Sequence, residues 1–86
     1  MYVVMVYDVA VERVVKVLQV GRRYLTWVQN SVLEGELSPA QFARLKADLA
    51  RVVEPTDAVR FYVLPNPKVL RVEILGTSKN EPGQFI

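Results

Sequence analysis

Apolar positions change period along the chain. Tyr2–Tyr7 is apolar at every position and rich in Val. A run with no polar face predicts a strand in the centre of a sheet, covered on both sides. Asp8 closes it. From Val9 to Arg23 the period lengthens. Val disfavours helix, but Val11, Val14, Val15 and Leu18 form one stripe, and Glu12, Lys16, Gln19 and Arg23 form the opposite one. Both repeat every three to four residues, which predicts a helix. Glu12 and Lys16 are a favourable i,i+4 pair, and Gly21 weakens the last turn.

Leu25–Leu37 reads as extended, with Trp27, Val28, Val32 and Leu33 as strand formers. Asn30 and Ser31 interrupt it, so it is one bent strand or two short ones with a kink near Gln29–Asn30. Ser38-Pro39-Ala40-Gln41 is a local helix start. Ser38 is an N-cap, Pro39 is pre-set for the first turn, and Gln41 completes a capping box. Phe42, Leu45, Leu49 and Val52 continue that helix to about Val53, before Pro55. Ala58–Leu64 and Val69–Leu75 read as a hairpin around Pro65-Asn66-Pro67-Lys68. A register centred on that loop sets Arg60 opposite Glu73. Thr77–Gln84 is polar, and Phe85 and Ile86 are apolar again.

The order β-α-β-β-α-β with an extra C-terminal strand predicts an α+β, ferredoxin-like fold. Two helices would cover one face of a largely antiparallel sheet. A small parallel α/β sheet is the alternative if Leu25–Leu37 is one strand. Residues 1–76 are expected to form one domain. Residues 77–86 are expected to be a tail that docks on a partner subunit's sheet.

Composition sharpens this. The chain has 86 residues, 51% of them hydrophobic and 17 of them Val. A chain of this size buries only about 60–65% of its unfolded surface. So much apolar surface on so small a domain predicts an oligomer, a homodimer first. There is no Cys and no His. That excludes disulfides, thiol nucleophiles, Cys/His zinc sites and histidine bases. Chemistry is left to carboxylates, hydroxyls, Lys, Arg or a hard metal held by oxygen. The net charge of +2 permits nucleic acid without demanding it. No apolar stretch approaches the ~18 residues of a membrane span, and a cytoplasmic protein is expected.

Asp8 is the first candidate for chemistry. At the end of a central strand and just before a helix, it could hold a metal or simply cap the helix. One carboxylate is too few for Mg²⁺. Waters and substrate phosphate could complete the set, or a two-fold axis could bring in a second copy of Asp8. Arg13, Lys16, Arg22 and Arg23 on the first helix are candidate phosphate contacts, or an ordinary solvated face. Lys68, Arg71 and Lys79 could track phosphates or keep an edge strand soluble. The aromatics follow core periodicity, and no RNA-recognition aromatic motif or Gly-rich phosphate loop is present.

At Tyr7-Asp8-Val9 and at Trp27-Val28-Gln29-Asn30-Ser31-Val32-Leu33-Glu34-Gly35-Glu36-Leu37-Ser38 the chain resembles the CRISPR-associated protein two family. This is the small core protein of spacer acquisition and the partner of the CRISPR integrase. The resemblance implies a ferredoxin-like homodimer whose C-terminal strands reach across to the partner. It implies a Mg²⁺-dependent endonuclease on RNA or duplex DNA, with Mn²⁺ able to substitute. The family's metal aspartate matches Asp8, one from each protomer. The preceding aromatic matches Tyr7, the basic residue of the first helix matches Arg13, and the serine of the long strand matches Ser31. Trp27 stands where many relatives carry Arg, and Leu33 where Phe is usual.

Three functions are therefore expected in order. The first is a metal-dependent phosphodiesterase in CRISPR adaptation, acting as a homodimer with the integrase. The second is a non-catalytic scaffold that holds duplex DNA and bridges integrase dimers. The third is a small ferredoxin-like regulator or toxin-like ribonuclease outside CRISPR.

Overall fold

Val3, Met5 and Tyr7 are buried and alternate with the half-buried Tyr2, Val4 and Val6 along β1 (Tyr2–Asp8). This period of two marks a strand whose two faces meet different surroundings. The computed structural model describes residues 1–76. After β1 come α1 (Val11–Arg22), β2 (Thr26–Gln29), β3 (Val32–Glu36), α2 (Pro39–Ala50) and β4 (Ala58–Leu64). The sheet order is β2-β3-β1-β4, and every neighbouring pair is antiparallel. With both helices on one face, this is the expected α+β, ferredoxin-like arrangement, and the parallel alternative is excluded.

Leu25–Leu37 resolves into two strands. Asn30, at φ 27°, and Ser31 make the tight turn between β2 and β3. Asn tolerates this left-handed backbone better than most residues. The ladder shifts register between Trp27 and Gln29, as at a β-bulge. At α2 the expected capping box is complete: Ser38 Oγ accepts the Gln41 N–H at 3.1 Å, and the Ser38 N–H donates to Gln41 Oε1 at 2.8 Å. The helix ends at Ala50, three residues before the expected Val53.

The core lies between the helices and the inner sheet face. Val3, Met5, Val17, Leu33 and Leu45 are fully buried, and Phe42 meets Phe61 edge-on with centroids 5.1 Å apart. Gly21 sets how closely α1 approaches. A Cβ there would lie 3.0 Å from Leu33 Cδ2 and 3.5 Å from Met5 Cε.

Three expectations fail. First, the apolar stripe of α1 is turned: Val14 and Leu18 are partly buried and pack against the core as expected, but the stripe is centred elsewhere. Val17, Val20 and Gly21 are the buried positions, whereas Val11 is 85% and Val15 64% exposed. Val at six positions between Val9 and Val20 allows two phases, and the close approach at Gly21 selects between them. Second, the hairpin after β4 does not form. Pro65 and Pro67 lack N–H groups, and a 3₁₀ turn at Pro67–Val69 replaces the hairpin loop. Asn66 Oδ1 accepts the Lys68 N–H at 3.1 Å and holds that turn. Residues 70–76 make no strand, so Arg60 does not face Glu73. Arg60 Nη1 instead donates to Tyr62 Oη at 3.2 Å, and Glu73 sits 3.5 Å from Arg71 on the exposed chain. Third, among the described residues β1 is covered on one face only, the face on which both helices lie. The tail expected over residues 77–86, with Lys79, Phe85 and Ile86, lies outside the described residues.

Candidate functional site

Alternation along β1 sends Tyr7 and Asp8 to opposite faces of the sheet. Tyr7 points into the helix layer, 4% exposed, with its hydroxyl 3.4 Å from the Asn30 carbonyl. Burial pushes its phenol pKa up, and a side-chain hydrogen bond with Ser31 opposes that shift. The Tyr7 N–H also donates to the Ser31 carbonyl at 3.1 Å. Tyr7 and Ser31 are thus brought together, and they tie the β2–β3 turn to the end of the central strand.

Asp8 faces the side without helices. It is exposed, and its side chain makes no hydrogen bond or ion pair with any described residue. It does not cap α1. The N-cap is Ala10, which has no side-chain acceptor. On β4 the partners Ala58, Arg60 and Tyr62 share Asp8's face by register, Ala58 directly opposite Asp8 and Arg60 opposite Val6. These residues and Asp8 line a shallow depression with Val6 and Tyr7. A carboxylate, a guanidinium and a phenol therefore open onto one surface. Arg60 and Tyr62 escaped the sequence reading, because only the β1–β4 register places them beside Asp8.

The four candidate cations of α1 do not gather at this site. Arg13 is paired with Asp57: Nε lies 2.5 Å from Oδ2 and Nη2 2.9 Å from Oδ1. Its guanidinium is held by Asp57 against the start of α1, and its side chain stays 20% exposed. Lys16 is exposed at mid-helix. Arg22 and Arg23 lie at the far end of α1, roughly 17 Å along the axis from Val11. Arg22 stacks over the Trp27 ring at 5.7 Å, so the Trp that replaces an expected Arg takes up a neighbouring cation.

Asp57 is the residue the sequence concealed most fully. Its side chain is 2% exposed. Besides Arg13 it accepts the Ala10 N–H at 3.0 Å and the Glu54 N–H at 2.9 Å. Arg13 first, and then the Glu54 amide, hold its carboxyl well below the usual carboxylate range.

Residues 1–72 match the family described as CRISPR associated protein Cas2. The chain belongs to the Cas2 family. A relative from Thermotoga maritima named CRISPR-associated endoribonuclease Cas2 is 55% identical over 84 residues, spanning 96% of this chain and 97% of that protein. One of the same name from Dictyoglomus turgidum is 46% identical over the full length of both. A crystal structure of a Cas2 protein, 44% identical, superposes with a TM-score of 0.84 over all of this chain and 98% of the other. Streptococcus pyogenes Cas2, 38% identical, gives 0.74 over 88% of this chain and all of its own. Membership of the Cas2 family sets aside the regulator outside CRISPR. Among the described residues no helix is long and apolar enough to cross a membrane.

No three acidic residues converge among the described residues. Around the depression the donor set of one chain is the Asp8 carboxylate, a hard oxygen ligand. That fits Mg²⁺ chemistry in kind and falls short in number.

Proposed function

We propose that two copies of the chain pair and act as a metal-dependent endonuclease on RNA or duplex DNA, in CRISPR adaptation beside the integrase. The observation that carries this reading is Asp8: exposed, unpaired among the described residues, and set at the end of the central strand beside Arg60. The names of the relatives support a nuclease acting on RNA.

Pairing is supported by the uncovered sheet face. Val4, Val6, Val32 and Leu64 are only half-buried there, and Tyr62 is 51% exposed. Among the described residues β4 is also an edge strand with a free side. Beyond it, Val69, Val72 and Leu75 are 70%, 53% and 91% exposed in a segment that forms no strand pairing with any described residue. A free edge and an unpaired apolar segment are what strand exchange between two copies would satisfy.

Asp8 from each copy would hold Mg²⁺, or Mn²⁺ in its place. Such an ion would supply polarisation of a phosphate and a more acidic water. Asp8 would contribute one carboxylate per chain to hold it. Arg60 meets a phosphate oxygen from the same depression. Tyr62 Oη, which accepts from Arg60, holds the guanidinium toward that surface.

Cleavage of end-labelled single-stranded RNA and duplex DNA tests this directly. Cleavage with Mg²⁺ or Mn²⁺, lost in EDTA and in Asp8→Ala, is the expected result. Cleavage that survives Asp8→Ala overturns the assignment. No cleavage, together with steeply salt-dependent DNA binding, leaves the scaffold reading. That reading draws on the exposed Lys16, Arg22, Arg23 and Arg60.

A further inference from the structure

Asp8 is the last rung of the β1–β4 ladder, opposite Ala58. A terminal rung has a neighbour on one side only, and strand ends open first. Two residues later the chain must start α1, whose N-cap Ala10 offers no side chain to hold the turn. Asp57, adjacent to Ala58, closes this gap. Its Oδ1 accepts the Ala10 N–H at 3.0 Å and Arg13 Nη2 at 2.9 Å; its Oδ2 accepts Arg13 Nε at 2.5 Å and the Glu54 N–H at 2.9 Å. Four donors occupy the acceptor sites of one carboxylate. Two of them come from a single guanidinium in fork geometry.

The backbone around Asp8 is thus tied at two consecutive residues of the opposite element. Asp8 is paired to Ala58, and Ala10 is bonded to Asp57. The Glu54 N–H keeps the Asp57 side chain in place from its own loop. Arg13 adds the first turn of α1, and its N–H returns to the Ala10 carbonyl at 2.9 Å. A shift of α1 against β4 would break these bonds together.

We propose that Asp57 and Arg13 form the positioning pair of the Asp8 site. They fix the Asp8–Ala10 turn so that the Asp8 carboxylate is presented to a divalent cation in one orientation, and Arg13 acts through Asp8 rather than on phosphate. This rests on the reading of Asp8 as a metal-binding carboxylate. Partners that orient a ligand from behind are commonly worth about 10–100-fold in metal affinity or activity.

Three measurements at a temperature well below melting separate the possibilities. They use wild type, Asp57→Asn, Arg13→Ala, Arg13→Lys and the Asp57→Asn/Arg13→Ala double variant. They are Mn²⁺ affinity by calorimetry, amide exchange at Val9 and Ala10 in metal-free protein, and kcat and KM for RNA cleavage. Mn²⁺ affinity and kcat are expected to fall about 10–100-fold, with KM little changed and faster exchange at Ala10. The double variant should lose no more than either single one. Arg13→Lys, which keeps the charge and loses the fork, should lie between and stays informative if Asp57→Asn does not fold. A raised KM in Arg13→Ala with unchanged Mn²⁺ affinity would make Arg13 a phosphate contact and overturn the proposal. A lower melting temperature with Mn²⁺ affinity and kcat intact would make the pair merely structural and overturn it equally. If wild type itself binds no Mn²⁺, the Asp8 reading fails first and takes the proposal with it.

Discussion

Arg13 lies against Asp57 across 44 residues of sequence, with its Nε 2.5 Å from a carboxylate that is 2% exposed. The pair joins the start of α1 to the loop before β4, next in sequence to the Asp8–Ala58 rung. It gives a partner within the fold to a basic residue that a reading of the helix alone would send to a phosphate.

Acid should reveal this pair in stability. The Asp57 carboxyl is held below its ordinary value of 3.8, first by Arg13 and then by the Glu54 amide. A depressed folded value means that the unfolded chain binds the proton more readily. The stabilisation is therefore complete above the ordinary value and is withdrawn as pH falls below it. Melting temperature should hold from neutral pH to about pH 4 and then decline. Asp57→Asn should melt lower at neutral pH and show a shallower acid decline. Equal acid slopes in the two proteins would refute the link.

Arg60 should report the nucleic-acid surface. Arg60→Ala is expected to weaken binding of duplex DNA or RNA uniformly across sequences. It should also reduce the salt slope of log K by about 1, as for one lost phosphate contact. Filter binding from low to high salt measures both, and an unchanged slope would place the phosphates elsewhere.

The two faces of α1 should separate cleanly in denaturant. Val15, 64% exposed, should tolerate Lys within about 0.5 kcal/mol. Val17, fully buried, should cost about 1.5–2.5 kcal/mol as Ala. Urea midpoints compare them, and equal costs would mean that the helix face has been misassigned.

Local signals were legible in the sequence and distant ones were not. The Ser38–Gln41 capping box involves four consecutive residues and stands as read. The polar stripe of α1 was also readable, because Glu12, Lys16, Gln19 and Arg23 leave one phase for the solvent side and all four are exposed. Its apolar side was ambiguous, since Val occupies positions compatible with two phases and tertiary contact at Gly21 chooses one. Alternation in Val69–Leu75 predicts a hairpin with β4, but alternation shows that a segment can be a strand and not which edge it joins. At the site, Asp8 was visible because a strand end is a local feature. Asp57, Arg60 and Tyr62 became visible only with the register of β4 on β1, which no spacing in the sequence encodes.

A site shared between two copies of Asp8 is tested most directly by a mixing experiment. Wild-type and Asp8→Ala chains are unfolded together, refolded at varied ratios so that copies pair at random, and assayed for metal-supported cleavage. If the site needs Asp8 from both copies, activity falls as the square of the wild-type fraction. A linear fall would mean that each chain carries a complete site, and it would contradict the shared centre.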